Sequence, residues 1–243
     1  MPPANHAFLA LWNDVVPARI AEYDAWHTFE HVPERMAIPG FVAARRYVAA
    51  ERTTDRYFTR YDLTGLEALD GAAYTDVVAH PTPWSRSMRP SLANFVRLPC
   101  LRRARAAAGE GGALLTMQVD AGANAAAIDA VTQELAEAVT QGRIVAIDAG
   151  AVAAAAPFPL PNAAAGGAGA KAATVTHVLL IDALDRTALT AFAPELRQRV
   201  EASGIAVAAQ AAYDLAFALA PCAGRDRPPR APPREDLRRK WQP

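Results

Sequence analysis

Apolar and polar positions in the first hundred residues switch between a period of two and a period near 3.6. Residues 8–12 form an apolar run of strand length, and Asn13-Asp14 behind it reads as a turn. Pro17 suits the first turn of a helix, where its missing N–H needs no partner. Ala21, Tyr23, Trp26 and Phe29 continue that helix. Pro33 predicts its end near Val32, since a residue before proline disfavours helical geometry. Pro39-Gly40 marks a turn, residues 41–50 a strand, residues 53–56 a polar hairpin connection, and residues 57–63 a third strand. Leu66, Leu69, Ala73 and Val77 share one helical face over residues 66–79. Pro81 and Pro83 close that helix, and a return through Trp84 and Met88 leads to a strand at 92–98.

The second half repeats this order. Residues 113–119 read as a strand and residues 125–140 as an Ala-rich helix with Ile128, Val131, Leu135 and Val139 on one stripe, ended by Gly142. Strands follow at 143–154 and 174–181, a helix at 189–200 stopped by Gly204, and a last strand within 205–219. Residues 157–173, rich in Pro, Gly and Ala, read as an extended hairpin loop.

Strand, helix, strand, strand, helix, strand is the order of the ferredoxin-like split βαβ unit. Such a unit has helices on one face of its sheet and must cover the other. The expected fold is therefore α+β, with two tandem ferredoxin-like βαββαβ repeats pairing into a pseudo-dimeric α/β barrel. The repeats are placed at 1–101 and 113–221, joined by a linker at 102–112 and followed by a basic, Pro-rich tail at 222–243.

Composition narrows the function classes. Hydrophobic residues make up 52% of the 243 and charged residues 21%, enough apolar content for a substantial core. Lys plus Arg equals Asp plus Glu at 25 each, so no broad field favours nucleic acid or an anionic membrane. The exception is the tail, with Arg225, Arg227, Arg230, Arg234, Arg238, Arg239 and Lys240, read as a loosely ordered, solvated extension. Two cysteines, Cys100 and Cys222, supply neither a disulfide framework nor a four-thiolate zinc site. No signal-peptide pattern and no membrane-length apolar run occurs, so a cytoplasmic setting is expected.

The stretch from Trp26 to Arg35, with Glu30-His31-Val32-Pro33 inside it, then Pro39-Gly40-Phe41 and Arg45-Arg46-Tyr47, resembles the EthD-like family of the dimeric α/β-barrel superfamily. Tyr74 and His80-Pro81-Thr82-Pro83-Trp84 add to the likeness, which spans roughly residues 7–98. The second half has neither the His-x-Pro nor the Pro-Gly-Phe element and reads as a degenerate copy. The resemblance implies a small enzyme needing no cofactor, acting on an apolar carbonyl or aromatic compound in catabolism or polyketide-type metabolism by cyclisation, isomerisation, decarboxylation or oxygenation. The expected partner is a small apolar organic ligand, with neither nucleic acid nor membrane, and with a homo-oligomer open.

Asp24, His27 and His31 are spaced by three and four residues, which places them on one arc of a helix. Imidazole titrates nearest neutrality and is the usual proton-transfer group. His31, matching the family's His-x-Pro, is the first choice, and Asp24 or Glu30 would orient the ring and favour its protonated form. The structural alternative is a histidine that caps the helix or bonds a loop carbonyl. Arg45 and Arg46 point to opposite faces of their strand, so one, taken as Arg45, would enter the barrel to hold an enolate or carboxylate. Arg35 reads as a salt-bridge partner of Glu30 or Glu34. Trp26, Tyr47, Tyr74 and Trp84 are the candidate substrate contacts and are equally core residues. No metal is expected, because no third strong ligand accompanies the two histidines. Two other classes stay open: a binding protein that does not turn its ligand over, and a haem-binding barrel using His177 or His31.

Overall fold

The side chains of β1 (Ala7–Val15) divide between two apolar clusters. Phe8, Ala10 and Trp12 enter one, Ala7 and Leu9 the other, as the alternation of a strand dictates. The same parting runs through β2 (Phe41–Val48), β3 (Tyr57–Leu63), β4 (Leu92–Ala107), β5 (Ala113–Asp120), β6 (Ala146–Val152), β7 (His177–Ala183) and β8 (Ala206–Leu219). In the computed structural model, which describes residues 6–49, 54–122, 124–154, 174–220 and 230–241, these eight strands close into an antiparallel barrel. The order around it is β1-β3-β2-β8-β5-β7-β6-β4. Within the first half the strands lie β4-β1-β3-β2, within the second β8-β5-β7-β6, and the seams β2–β8 and β4–β6 join them.

The bore is a packed core, not a channel. Phe8, Trp12, Tyr47, Phe58, Leu114, Leu180 and Tyr213 fill it with side chains from both halves. Phe8 lies so close to β6 that a Cβ on Gly150 would stand 2.6 Å from its ring, which is why a glycine sits there. Beside Phe8 runs a buried ionic network. Asp62 accepts hydrogen bonds from Arg45, Arg60 and Arg102, and Asp148 accepts from Arg60, Arg102 and Arg105. Asp62 belongs to the first half and Asp148 to the second, so the shared arginines tie the halves together.

Helices cover the outer face of each half. Over the second, α5 (Ala125–Thr140) and α6 (Arg186–Ala202) pack Ile128, Val131, Leu135, Leu189, Leu196 and Val200 onto Leu115, Met117, Ile147, Leu179 and Ile181. Over the first lie α1 (Ile20–Trp26), α2 (Val32–Met36), α3 (Ala72–Ala79) and α4 (Pro83–Met88). No helix among the described residues is long and apolar enough to cross a membrane.

Several local expectations give way. Asn13-Asp14 is not a turn but the buried end of β1. Tyr23 donates to Asn13, and the Asp14 carboxylate accepts the backbone N–H groups of Asp55 and Arg56. The first helix does not stop at Val32. A π-helical turn at His27–His31 sends the Val32 N–H to the His27 carbonyl, and α2 then starts with Pro33 in its first turn, where no donor is needed. The helix expected over 66–79 is broken by Asp70-Gly71 into a 3₁₀ turn at Leu66–Leu69 and α3, while Trp84 lies on the separate helix α4, capped by Thr82. Arg102–Ala107, expected in the linker, extends β4 and makes the seam with β6. Residues 157–173 and Cys222 lie outside the described residues.

The end of the chain is not a solvated extension over its described part. Arg230 pairs with Glu34 at 2.8 Å and with Asp76 at 3.2 Å, and the Arg234 backbone N–H donates to Glu30 at 2.7 Å. Leu237 packs on the cluster of Tyr23, Trp26 and Trp84 in α7 (Glu235–Arg238).

Candidate active site

His27 and His31 lie on the wider π turn, so their rings come together, centroids 5.1 Å apart, and the Trp26 indole lies 4.5 Å from His31. They face the outer surface of the first-half sheet, where Leu9, Leu11 and Asn13 of β1 and Thr59 and Tyr61 of β3 point outward. Between these layers lies a cavity of about 70 Å³, room for several water-sized spheres at ~10–15 Å³ each. Arg35, Phe41, Tyr74, Ser85, Arg89, Leu92, Phe95 and Arg97 complete its walls. The corresponding layer of the second half is filled by aliphatic side chains.

The cavity is therefore outside the barrel, between sheet and helices, and this reassigns half of the expected site. His31, His27, Trp26 and Tyr74 line it together. Asp24 does not: it pairs with Arg46, and its side chain is 46% exposed. Arg45 and Tyr47 point into the bore, on the other face of β2, where Arg45 is bound to Asp62 and Glu110. Trp84 is buried behind the site, its indole N–H donating to Glu22 at 2.9 Å. Arg35 forms the expected ion pair, with Glu34, and does more. It lines the cavity, 4.0 Å from Glu34. His177 begins β7 in the other half, with Nδ1 3.1 Å from Thr176 Oγ1.

Among the described residues no carboxylate favours a protonated imidazole at either position. Burial, then Arg46 and Arg35, hold His27 well below its ordinary value, and burial, then Arg35, His27 and Arg89, do the same to His31. Both rings are neutral at neutral pH, which reverses the expectation from Asp24 and Glu30. Glu30 instead accepts from Thr82 at 2.6 Å and from the Arg234 backbone. Thr59 Oγ1 lies 3.5 Å from His27 Nε2, and neither histidine's Nδ1 has a hydrogen-bond partner. A neutral imidazole with an unpartnered nitrogen beside a cavity keeps a lone pair for a proton, although the burial and cations that depress its pKa make it a weaker base than a free imidazole. Among the described residues no three His, Cys, Asp or Glu side chains converge as a metal would require. The walls do not fit haem either, since a cavity of this size with two imidazoles packed on one another has no room for a macrocycle.

Arg35, Thr59, Tyr61, Asn13, Arg89 and Arg97 belong to the site although the sequence did not single them out for it. Two signals were present. Arg35 follows His31 by four residues, one helical turn on. Thr59 and Tyr61 share the parity of Tyr57 on a strand that must show one face to the helices.

The sequence matches no protein-family model and no curated protein. Solved structures do match. An anthrone oxidase-like protein is similar over 91% of this chain and 95% of its own, at TM-score 0.62 and 12% identity. A candidate monooxygenase from Lactobacillus acidophilus matches over 88% and 95%, at TM-score 0.53 and 10% identity. A candidate chlorite dismutase matches over 87% and 94%, at TM-score 0.53 and 11% identity. The fold is of the dimeric α/β-barrel type. At these identities the likeness extends to the fold alone.

Proposed function

We propose that the chain is an EthD-like enzyme, built from two tandem ferredoxin-like repeats, that moves a proton on a small carbonyl or aromatic compound without a cofactor. The observation that carries this reading is the neutral His31 ring against the sheet–helix cavity of the first half, with guanidinium groups beside it. His31 would take a proton from the carbon next to a carbonyl. The negative charge then developing on the carbonyl oxygen would meet Arg35 or Arg89, the same cations that depress the His31 pKa. His27 packs against His31 as a second neutral ring, and Trp26 and Tyr74 supply apolar walls. The oxidase and monooxygenase names of the fold neighbours agree with chemistry on an activated aromatic ketone or phenol. The second repeat, its own layer filled with aliphatic side chains, would serve as a structural partner, so that one chain offers one site.

The test is turnover by a folded His31→Ala variant over a panel of aromatic ketones, phenols and acids. The reading requires a loss of about 100-fold or more, the lower range for a general base. Unchanged turnover removes the role of His31. A ligand recovered chemically unchanged from the parent protein makes the chain a binding protein.

A further inference from the structure

We propose that the ligand of this cavity is a small aromatic carboxylate whose anionic end is anchored by Arg35, an inference that rests on reading the cavity as a substrate site. The walls include Arg35, Arg89 and Arg97 and no Asp or Glu. Arg89 and Arg97 are engaged within the protein: Arg89 donates to the Val78 carbonyl at 3.0 Å and Arg97 to the Tyr74 hydroxyl at 3.3 Å. Arg35 stands differently. It is 6% exposed, its Nη1 is buried without a hydrogen bond, and Glu34 Oε2 is 4.0 Å away. Glu34 is moreover claimed by Arg230, which donates to Oε1 at 2.8 and 3.1 Å. A buried guanidinium with an unused donor is expensive unless something accepts from it. The planar fork of an arginine matches a carboxylate in particular.

A second buried donor lies on the sheet side. The Tyr61 hydroxyl has no partner, and burial pushes its pKa up, so that it stays protonated and able to donate. Arg35 and Tyr61 are electrostatic neighbours. Together they offer an oxyanion one charged and one neutral donor. Burial and then the nearby Arg35 lower the pKa of Arg89, with Glu34 only partly opposing, and an anion between the two cations would relieve that crowding. The remaining walls, Trp26, Phe95 and Tyr74, suit an aromatic ring, and the cavity of about 70 Å³ is partly open, so even a single-ring ligand would seat one end in it and extend toward solvent. An amine would face three guanidinium groups and be excluded.

Calorimetric titration with benzoate, benzamide and benzylamine tests this on the full chain, since the three share a ring and differ in charge. Benzoate should bind on the order of tenfold more tightly than benzamide, and benzylamine not at all. Arg35→Gln should weaken benzoate by a similar factor and benzamide by clearly less. Arg35→Lys, which keeps the charge and loses the fork, should fall between and covers the case in which the glutamine variant does not fold. Equal affinity for benzoate and benzamide, no binding of any of the three, or a folded Arg35→Gln or Arg35→Lys protein with undiminished benzoate affinity overturns the proposal. Binding is read here without turnover. A cavity preferring benzamide therefore removes the anion and leaves proton transfer at His31 standing, whereas benzoate binding without any reaction does the reverse.

Discussion

Replacing Asp148 with asparagine removes one charge from the network between the two halves. Asp148 is 1% exposed. Arg102 Nε and Arg105 Nη1 each donate to it at 2.8 Å, and Arg60 also donates to it. The amide offers one acceptor oxygen in place of two, and its NH₂ would face guanidinium groups. Breaking a buried charge pair from one side costs about 3–5 kcal/mol, because the partner is left desolvated and unpaired. Against a total stability of about 5–15 kcal/mol, that is about a fifth or more of the fold. For a chain of this size the unfolding temperature should fall by roughly 6–20 °C. Urea unfolding followed by far-ultraviolet circular dichroism measures the loss. Asp129→Ala is the control, since its ion pair with Arg103 is 3.8 Å long and solvent-exposed, a kind worth ~0–1 kcal/mol. A loss for Asp148→Asn no greater than the control would mean that the network does not hold the halves together.

Burial pushes the Asp182 carboxyl up to about 6 from its ordinary 3.8, with Arg60, Arg45 and Arg105 partly opposing. The folded chain thus keeps a proton there that the unfolded chain releases, so stability falls as pH rises from about 4 to about 6 and stays lower above, by ~3 kcal/mol. Asp182→Asn should raise the unfolding midpoint at about pH 8 and lose that advantage by about pH 4; an equal effect at both would refute the assignment. Gly150→Ala drives a methyl group into Phe8 and should cost ~1–3 kcal/mol in urea unfolding, whereas an unchanged midpoint would show that the ring is free to move. Arg230→Ala leaves Glu34, 1% exposed, with Arg35 at 4.0 Å as its ion pair, and should cost about 1–3 kcal/mol. No change would mean that the end of the chain is not docked in solution.

The element order was legible because strands and helices here keep clean periods: β3 and α5 fall where alternation and the Ile128-Val131-Leu135-Val139 stripe place them. Polar punctuation misled where distant partners outweighed local preference. Asn13 and Asp14 are turn formers by habit, yet Tyr23, Asn94 and the backbone at Asp55 and Arg56 occupy their side chains inside the fold. Pro33 signalled a helix end, but one π turn shifted the register so that it fell into a first turn. The contact of His27 with His31 was legible from their spacing, whereas Asp24, one turn earlier, is drawn away to Arg46, which local spacing cannot show. Which sheet face carries the site was not readable either. Arg45 and Arg46 must diverge, but only closure of the barrel decides that Arg45 turns inward to Asp62 and Arg46 outward to Asp24.

The proposed site is a pocket behind the first-half sheet, not the barrel bore. Nitrogen-15 NMR of the histidine side chains, recorded while benzoate is added, addresses it directly. The His27 and His31 ring signals should belong to neutral imidazoles near neutral pH and shift together on titration, while His177 does not move. Protonated rings at those two positions, or shifts at His177 with His27 and His31 silent, would contradict it.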